Sequence, residues 1–532
     1  MAFQINGPNG GFGLIYGNTS GDDQINAFDF NNIIISAGAN DQIFTGSGSA
    51  TVNLGAFPGV TDTTNVGGAF NTVMTTGNAG ASTQTVQGGS GNNVVMLQNS
   101  MGFNTVALQG YYNSITVNSD ATNIILTGAG HGKVRAGAIN DGNLGFTTSV
   151  VAAGQNNTVV GGDQNFTIAG GQGMDFISVG NGNNMITEAG AKDKIILGTG
   201  SNTINDFGGG ATMIFNGLVT DTPGATETVN IGGTNNIVTE TQASAGSERN
   251  FTITGGTGNG RFTLGDGVNV LTTSGANNMI NMGTPDDFPY GDVVTANGNT
   301  NSITLGDGSN KVTANGDGDT ITLGRGNNVV TANGTADTVT LGNGGNTLQA
   351  NGDTNTITVG NGNNSITANG NGGTIMLGTG NNTVSATGSN DTIASAGGKG
   401  AFTLGTAFLT GQDMLTLNAS ATGTTVDSEG TLNNIVLNNN ANAGIYDSPF
   451  GGGLTLTIYA SSGANAGTVK LAGFGADSTG MIDLQGFTGI TNDAQLASVS
   501  SSDGAGGTMI HLGTGSLDLV HATIAMTHFA FT

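Results

Sequence analysis

Apolar residues return every nine positions from residue 301 to residue 405 of this chain. A second small or apolar residue follows each of them two positions later. Side chains two apart share one face of a β-strand, so both are expected to point into the same core. The second residue alternates between Leu and Ala, as in Leu305 and Ala314, so the full repeat is a pair of nine-residue units. The first apolar residues are Ile303, Val312, Ile321, Val330, Val339, Leu348, Ile357, Ile366, Ile375, Val384, Ile393 and Phe402.

Turns rich in Gly and Asn separate these short strands, such as GDG after Leu305 and NGDG after Ala314. Gly and Asn tolerate the positive φ angles that tight turns need. A short strand followed by a tight turn, repeated in register, predicts an all-β fold, a right-handed parallel β-solenoid. Two units make one coil of about 18 residues, and each coil advances by about 4.8 Å.

The regularity of the repeat divides the chain into four predicted regions. Residues 1–150 form a degenerate solenoid, and residues 151–291 form a solenoid with irregular loops that include the insertion PDDFPYG at 285–291. Residues 292–405 form the regular nonapeptide block. In residues 406–532 the Gly-rich turns become fewer and the strands longer. We expect a distinct C-terminal β-region there, either sandwich-like or a cap on the open edge of the solenoid.

The repeat resembles the hemolysin-type calcium-binding repeat of secreted bacterial RTX proteins, G-G-x-G-x-D-x-U-x, in which U is apolar. A partial copy keeps Gly306, Gly308 and Val312 but has Asn310 at the Asp position. The resemblance implies a β-roll in which calcium binds between neighbouring coils through the Asp of the sixth position and turn carbonyls. One copy carries every consensus residue: Gly170, Gly171, Gly173, Asp175 and Ile177.

Asp at the sixth position gives the candidate metal ligands. Asp319 and Asp337 are one coil apart and should stack directly. Two carboxylates about 5 Å apart repel unless a cation or a proton lies between them, and calcium prefers such hard oxygen ligands. Asn takes this position in most other copies and can form a hydrogen-bonded ladder without an ion. We expect a few calcium ions at Asp and Asn ladders elsewhere. The candidate ligands are Asp23, Asp41, Asp175, Asp193, Asp292, Asp319, Asp337 and Asp391.

Composition supports a thin, regularly spaced core. The chain has 532 residues with 97 Gly, no Trp and 5% aromatic residues, yet 36% are hydrophobic. Its formal net charge is −25 although 8% of its residues are charged, which argues against nucleic-acid partners and anionic membranes. There is no Cys and no apolar run long enough to span a membrane.

The chain is predicted not to be an enzyme. Parallel β-helices that act on acidic sugars need carboxylates clustered beside Lys, Arg or His. The regular block offers Lys311 and Arg325 as its cations before residue 398, and its Asp residues are repetitive. The four histidines are scattered along the sequence: His131, His511, His521 and His528.

Threonine columns are predicted on the outside of the Leu strands. The outward pairs include Thr320 and Thr322, and Thr338 and Thr340, while Met376 interrupts the array. This Thr-x-Thr surface is similar to that of ice-binding solenoids. The alternative is ordinary strand chemistry, because Thr favours strands and stacked Thr stabilises any sheet face.

The two ends of the sequence bear on location. The first residues show neither a basic region nor an apolar run of signal length. Residues 481–532 resemble the C-terminal region of type I secreted proteins. We therefore expect a secreted protein, extracellular or on the bacterial cell surface. Its expected role is structural, through self-assembly into a surface layer or fibre, with cell-surface polysaccharide as a further partner. An adhesin and an ice-binding protein are the alternatives.

Overall fold

The computed structural model describes most of the chain. Contacts between Cα atoms divide it into two compact units, Met1–Thr273 and Ser274–Thr532, which are described separately below. The insertion at 285–290 lies outside the described residues. Those are 4–7, 13–19, 22–28, 31–55, 59–76, 82–98, 103–118, 122–137, 146–216, 225–241, 249–283, 291–405, 412–421, 423–438, 441–447, 453–460, 466–474, 479–522 and 528–531.

The predicted all-β parallel solenoid is confirmed. Strands make up 54% of the chain, and each coil gives one strand to each of two parallel stacks. The described part of the chain contains no helix long and apolar enough to cross a membrane.

Unit 1 is built from stacks A and B, whose neighbouring strands pair in parallel. Stack A contains β1 (Gln4–Asn6), β3 (Gln24–Ala27), β5 (Gln42–Thr45), β7 (Thr61–Val66), β9 (Thr83–Gly88), β11 (Asn104–Leu108), β13 (Asn123–Leu126), β15 (Thr147–Val151), β17 (Asn165–Ala169), β19 (Met185–Glu188), β21 (Thr203–Asp206), β23 (Thr226–Ile231), β25 (Asn250–Gly255) and β27 (Val270–Thr273). Stack B contains β2 (Leu14–Tyr16), β4 (Asn32–Ser36), β6 (Ala50–Gly55), β8 (Thr72–Thr76), β10 (Val94–Gln98), β12 (Ser114–Asn118), β14 (Lys133–Ala136), β16 (Thr158–Gly161), β18 (Phe176–Val179), β20 (Lys194–Leu197), β22 (Thr212–Asn216), β24 (Ile237–Thr241) and β26 (Arg261–Leu264).

Unit 2 is built in the same way from stacks C and D. Stack C contains β29 (Val293–Ala296), β31 (Lys311–Ala314), β33 (Val329–Ala332), β35 (Thr347–Ala350), β37 (Ser365–Ala368), β39 (Thr383–Ala386), β41 (Ala401–Leu404), β43 (Thr424–Ser428), β45 (Ala443–Asp447), β47 (Thr468–Ala472) and β51 (Gly515–Val520). Stack D contains β28 (Met279–Met282), β30 (Ser302–Leu305), β32 (Thr320–Leu323), β34 (Thr338–Leu341), β36 (Thr356–Val359), β38 (Thr374–Thr379), β40 (Thr392–Gly398), β42 (Met414–Ala421), β44 (Asn434–Leu437), β46 (Thr455–Tyr459), β48 (Met481–Gln485) and β52 (Phe529–Phe531). The remaining elements are α1 (Asp493–Ser498), β49 (Ser500–Ser502) and β50 (Thr508–Leu512).

The core lies between the two stacks of each unit and follows the predicted alternation. In the regular block Ile303 pairs with Ile321, and Leu305 with Leu323, so identical side chains stack in register. These residues are buried while the intervening Thr side chains are exposed. Burying each such aliphatic side chain contributes about 1.5 to 3 kcal/mol. Neighbouring coils therefore select one register, because a shift by one residue would expose the whole column.

Coil length varies where the sequence repeat is irregular. Hydrogen-bonded neighbours on successive coils are 18 residues apart from Phe166 to Asn184, but 25 apart from Asn202 to Glu227. Strands in this part of the chain are up to six residues long, as β23 shows. The extra residues lie between strands, where segments 217–224 and 242–248 fall outside the described residues.

The C-terminal region is β-rich as predicted, but its arrangement differs from a sandwich. From β42 to β48 the strands pair in parallel and continue stacks C and D. They do so because the inward pairs, such as Leu415 and Leu417, keep the two-residue spacing of buried apolar residues. The cap alternative fits the last part: β51 pairs with β47 in parallel and with β50 antiparallel, and β50 pairs with β49.

Candidate metal centre

A buried polar residue precedes most strands of the regular block and links neighbouring coils, while Gly373 and Gly400 take this position before β38 and β41. The side chain of Asn346 accepts hydrogen bonds from the backbone N–H and the Nδ2 of Asn328, at 3.2 and 3.0 Å. Its own Nδ2 donates to the Gly342 carbonyl at 3.1 Å and to Asn364 Oδ1 at 2.9 Å. Both polar ends of the amide are thereby satisfied within the core, as buried polar groups require. The predicted Asn ladder is present, and it lies inside the solenoid.

Asp at this position keeps only half of the Asn arrangement. Asp337 Oδ1 accepts the Asp319 N–H at 2.8 Å, and Asp319 Oδ1 accepts the Asn301 N–H at 2.6 Å. The second oxygen of each Asp occupies the place of the Asn amino group. Within the described residues neither Oδ2 atom has a hydrogen-bond partner of ordinary geometry. Each Asp thus leaves one buried oxygen for a proton or a cation.

All eight predicted ligands are buried, and several are brought together. Asp23 donates its N–H to Asp41 Oδ1 at 2.9 Å, and Asp175 donates to Asp193 Oδ1 at 2.7 Å. Asp292 contacts Asn310 instead, and Asp391 contacts Asp413. The eight therefore form separate neighbouring sets rather than one centre. Their exposure is at most 2% at Asp23, Asp41, Asp175, Asp193, Asp292, Asp319, Asp337 and Asp391.

Burial weakens the acidity of these carboxyls. Removal from water raises the pKa of Asp41, Asp193 and Asp337 to about 6 and that of Asp391 to about 7. Burial likewise raises the pKa of Asp319. The backbone N–H groups that they accept oppose this effect, and neighbouring carboxyls add to it. The stacked Asp residues are consequently ready to hold protons or a cation near neutral pH.

The densest acidic cluster lies in unit 1 and combines Asp175, Glu188 and Asp193. One carboxyl oxygen from each residue lies within 4.8 Å of the other two. Burial, together with the charges of Asp175, Asp193 and Asp206, raises the pKa of Glu188 to about 10. In the part of the chain that the structure describes, no N–H or hydroxyl donates to either Glu188 oxygen, and the neighbour within hydrogen-bond reach is the Asp175 carboxyl.

The cluster lies where strands of stack A end and strands of stack B begin. Glu188 ends β19, and Asp206 ends the neighbouring β21 in direct register with it. Asp175 and Asp193 precede β18 and β20. Gly170 lies against the Glu188 carboxyl, where a Cβ atom would come within 1.8 Å of Oε2. The copy with the full sequence consensus therefore supplies both a ligand and the space beside it.

No protein-family model, curated protein or solved structure matches this chain. The parallel solenoid is consistent with an RTX-like β-roll. This likeness depends on the coil geometry and the sequence repeat alone.

Sequence reasoning missed other acids that are buried among the described residues: Asp62, Asp163, Glu188, Asp206, Glu227, Glu240, Asp413 and Asp447. Asp413 could have been found, because it immediately precedes the strand that begins at Met414. Glu188 also carried a signal, since it lies two residues after the buried Ile186 and must face inward. Asp62 accepts the Asp41 N–H at 3.0 Å within a strand whose repeat is degenerate. No nonapeptide pattern marks that position.

Unit 1 also contains a buried ion pair and a surface cleft. Arg249 Nε lies 3.5 Å from Glu227 Oε1, and Glu227 accepts two hydrogen bonds from Asn202. This charge pair is embedded where other coils have neutral side chains. The cleft has a volume of about 240 Å³ and is lined by Tyr111, His131 and other residues of successive turns.

Proposed function

We propose that the protein is a secreted structural protein that assembles with copies of itself on or outside a bacterial cell. The observation that carries this proposal is the outer face of β30, β32, β34, β36 and β38. Its outward positions repeat in register at every coil and carry no charged side chain among these described strands. A flat periodic β-face can pack against an identical face about 10 Å away.

Assembly can be tested by placing one charge on this face. Thr340→Lys introduces an ammonium group at an exposed position in the middle of the columns. Asn333→Lys places the same charge on an exposed turn. We expect the turn variant to form sheets or filaments like the wild type, and the face variant to stay monomeric, as measured by light scattering and negative-stain electron microscopy. Equal assembly of both variants would argue against the face as the contact.

Calcium and secretion belong to the same proposal. The repeat and the buried Asp residues support membership of the RTX group and calcium binding at the eight predicted positions. Export by a type I system would place the chain where calcium is abundant. Assembly and thermal stability should therefore increase with calcium and decrease with a chelator. A calcium-independent assembly would remove the ion from the proposal.

Cell-surface polysaccharide is the partner that we propose for attachment. Tyr111 is 63% exposed at the cleft of unit 1, and Tyr112 stacks on His131 with ring centroids 5.2 Å apart. Gln155 and Gln172 line the same cleft. Exposed rings beside amides suit sugars, which present both apolar faces and hydroxyls. Tyr111→Ala should abolish retention on cell-wall glycans, and unchanged retention would exclude this cleft.

Ice binding is the second candidate, because the Thr columns are in register. Thr320, Thr338 and Thr356 pair directly, as do Thr322, Thr340 and Thr358. A thermal-hysteresis measurement on monomeric protein decides between the two functions. Hysteresis that disappears in Thr340→Lys would favour ice binding over assembly.

A further inference from the structure

The buried acidic cluster of unit 1 has a different composition from the rest of the inner ladders. Its carboxyls come from Asp175, Glu188 and Asp193, with Asp206 beside Glu188 on the next strand, and each of these acids is at most 2% exposed. The neighbouring coils place neutral residues in the same registers. Ile231 pairs with Asp206 on the next strand of stack A, and Asn157 donates to Asp175 from the preceding coil. Buried Glu227 and Glu240 follow on later strands, but in other registers.

The hydrogen bonds satisfy only part of this cluster. Asp175 accepts from Asn157 at 3.1 Å and from the Gly171 N–H at 3.1 Å. Asp193 Oδ1 accepts the Asp175 N–H, and Asp206 Oδ1 accepts the Gly208 N–H at 2.9 Å. Among the described residues no N–H or hydroxyl donor reaches the other oxygen of Asp193 or Asp206, or either oxygen of Glu188, whose carboxyl lies within hydrogen-bond reach of the Asp175 carboxyl. These four oxygens remain buried without a donor.

Among the described residues no Lys, Arg or His side chain forms an ion pair with the cluster. The ion pair described above joins Arg249 to Glu227, not to these acids. Lys192 and Lys194 flank Asp193 in sequence but are exposed, and Lys194 lies over the Phe176 ring on the outer face. Burying one uncompensated carboxylate costs several kcal/mol, and adjacent carboxylates repel in addition. A bound divalent cation would remove both costs.

We infer that Asp175, Glu188 and Asp193 form a binding site for a hard divalent cation, with calcium the best fit and the Asp206 carboxyl adding negative charge beside it. The ligands are all oxygen atoms, and calcium takes about six to eight of them, whereas magnesium usually keeps several waters that this buried position does not favour. Glu188 is the distinguishing ligand, since it comes from the end of a strand and not from the sixth position of the repeat. Gly170 leaves room for its carboxyl.

This inference concerns the calcium part of the proposed function and does not depend on assembly. The test uses the full chain as a dilute monomer at pH 7.5, before and after exhaustive treatment with a chelator. Calcium stoichiometry is measured by equilibrium dialysis, and thermal stability by calorimetry with and without calcium. The variants are Glu188→Gln and Glu188→Ala, and Asp317→Asn is a charge-matched control whose carboxyl is exposed.

The wild type should bind one more calcium ion per chain than Glu188→Ala, and Glu188→Gln should weaken that site about tenfold or more, because affinity follows ligand charge. Both Glu188 variants should be more heat-stable than the wild type in the absence of calcium and less heat-stable than the wild type in its presence. This reversal of sign is specific to a cation site, because a purely structural role changes stability in one direction.

Several results would overturn the inference. One is an identical calcium stoichiometry in Glu188→Ala and the wild type. Another is a wild type that gains no stability from calcium but gains it from acid, which would mean that the cluster holds protons only. Failure of Glu188→Gln to fold without calcium would also contradict it, and an equal effect of magnesium would contradict the assignment to calcium. Loss of assembly alone leaves the site intact.

Discussion

At the residue scale, the inner ladder makes each Asn a structural link between three coils. Asn346→Ala removes the acceptor for two donors of Asn328 and leaves the Asn346 and Asn364 positions without their mutual side-chain bond. A buried donor without a partner costs about 1 to 3 kcal/mol, so we expect a local loss of about 2 to 3 kcal/mol. Native-state hydrogen exchange of the amides in β33, β35 and β37 measures it.

A matched control for this substitution lies on the exposed Asn ladder of the neighbouring turns. Asn333 donates to Asn315 Oδ1 at 2.6 Å and accepts from Asn351, but its side chain is exposed. Water can replace both bonds, so Asn333→Ala should cost less than about 1 kcal/mol. Equal effects of the two substitutions would show that burial does not control the contribution of the ladder.

The residue scale also shows the limits of prediction from sequence. The pattern located Asp337 and its neighbour Asp319, because a fixed repeat converts sequence distance into stacking. It did not locate the partnership of Glu188 with Asp175, which depends on how the end of one stack approaches the start of the other. The turn between the two stacks determines how closely Glu188 and Asp175 approach each other, and the periodicity of the sequence does not predict the geometry of that turn.

At the element scale, the stacked turns require Gly at one position of each coil of stack D. Gly344 has φ of +146°, and a Cβ atom there would lie 2.0 Å from the Gly326 carbonyl oxygen. Gly344→Ala must therefore separate two coils, and we expect a loss of several kcal/mol, about 3 or more, from combined backbone strain and clash. A fall in the denaturant midpoint measures this loss.

The adjacent Gly345 provides the control for that turn. The nearest atom to a Cβ at Gly345 is the exposed Asn327 side-chain oxygen at 3.2 Å, which can move. Other coils carry Ser309 and Asn363 at the equivalent position. Gly345→Ala should change stability by less than about 0.5 kcal/mol. If both alanine variants were equally tolerated, close stacking of the turns would be wrong.

Whole coils should be removable in pairs of nine-residue units. Deleting 338–355 joins Asp337 to Thr356, so that β32 meets β36 and both inward apolar columns continue through Ile357 and Val359. Deleting 338–346 instead brings β35 into stack D and sets Ala350 against Leu323. We expect the first deletion to keep a cooperative transition, and the second to create a junction sensitive to limited proteolysis, since a Leu-to-Ala cavity costs about 2 to 5 kcal/mol. Comparable protease resistance would contradict the two-unit coil.

The fold of these elements was largely predictable, because strand length, register and inward residues all follow from one period. The C-terminal region was predicted less well. Its turns are longer, so the inward apolar residues no longer recur at a fixed spacing along the sequence. The pairs two residues apart are still present, and Ile435 and Leu437, for example, are buried. The parallel stacks depend on those inward pairs and tolerate variable turns, so periodicity in strand residues is the better guide than periodicity in glycine.

At the scale of the whole molecule, the net charge of −25 coexists with carboxyls inside the core. Buried Asp residues recur along the chain, and each places its carboxyl between neighbouring coils. Among those with raised pKa values are Asp41 and Asp337, at about 6, and Asp391, at about 7, against an ordinary value of 3.8. Stability should therefore depend on pH in the direction opposite to common acid denaturation.

The sign of this pH dependence follows from proton binding. Between about pH 4 and pH 7 the folded chain holds protons on these carboxyls that the unfolded chain releases. Their favourable contribution is complete below the unfolded pKa and is lost as the pH rises through the folded values. In the presence of a chelator we expect the melting temperature to increase as the pH falls from 8 to 5, measured by scanning calorimetry.

Two variants separate this effect from general charge repulsion. Asp337→Asn should raise the melting temperature at pH 7.5 and flatten its pH dependence, because an amide can donate to its own turn as Asn355 does to the Gly352 carbonyl at 2.7 Å. Asp317→Asn removes an equal charge from an exposed carboxyl whose pKa the Thr335 N–H lowers. Its own contribution is lost as the pH falls, and its charge is only the smallest of the causes that raise the pKa of Asp319 and Asp337, so the slope should flatten far less than in Asp337→Asn. If both variants flattened the slope equally, surface charge and not the buried ladder would control it.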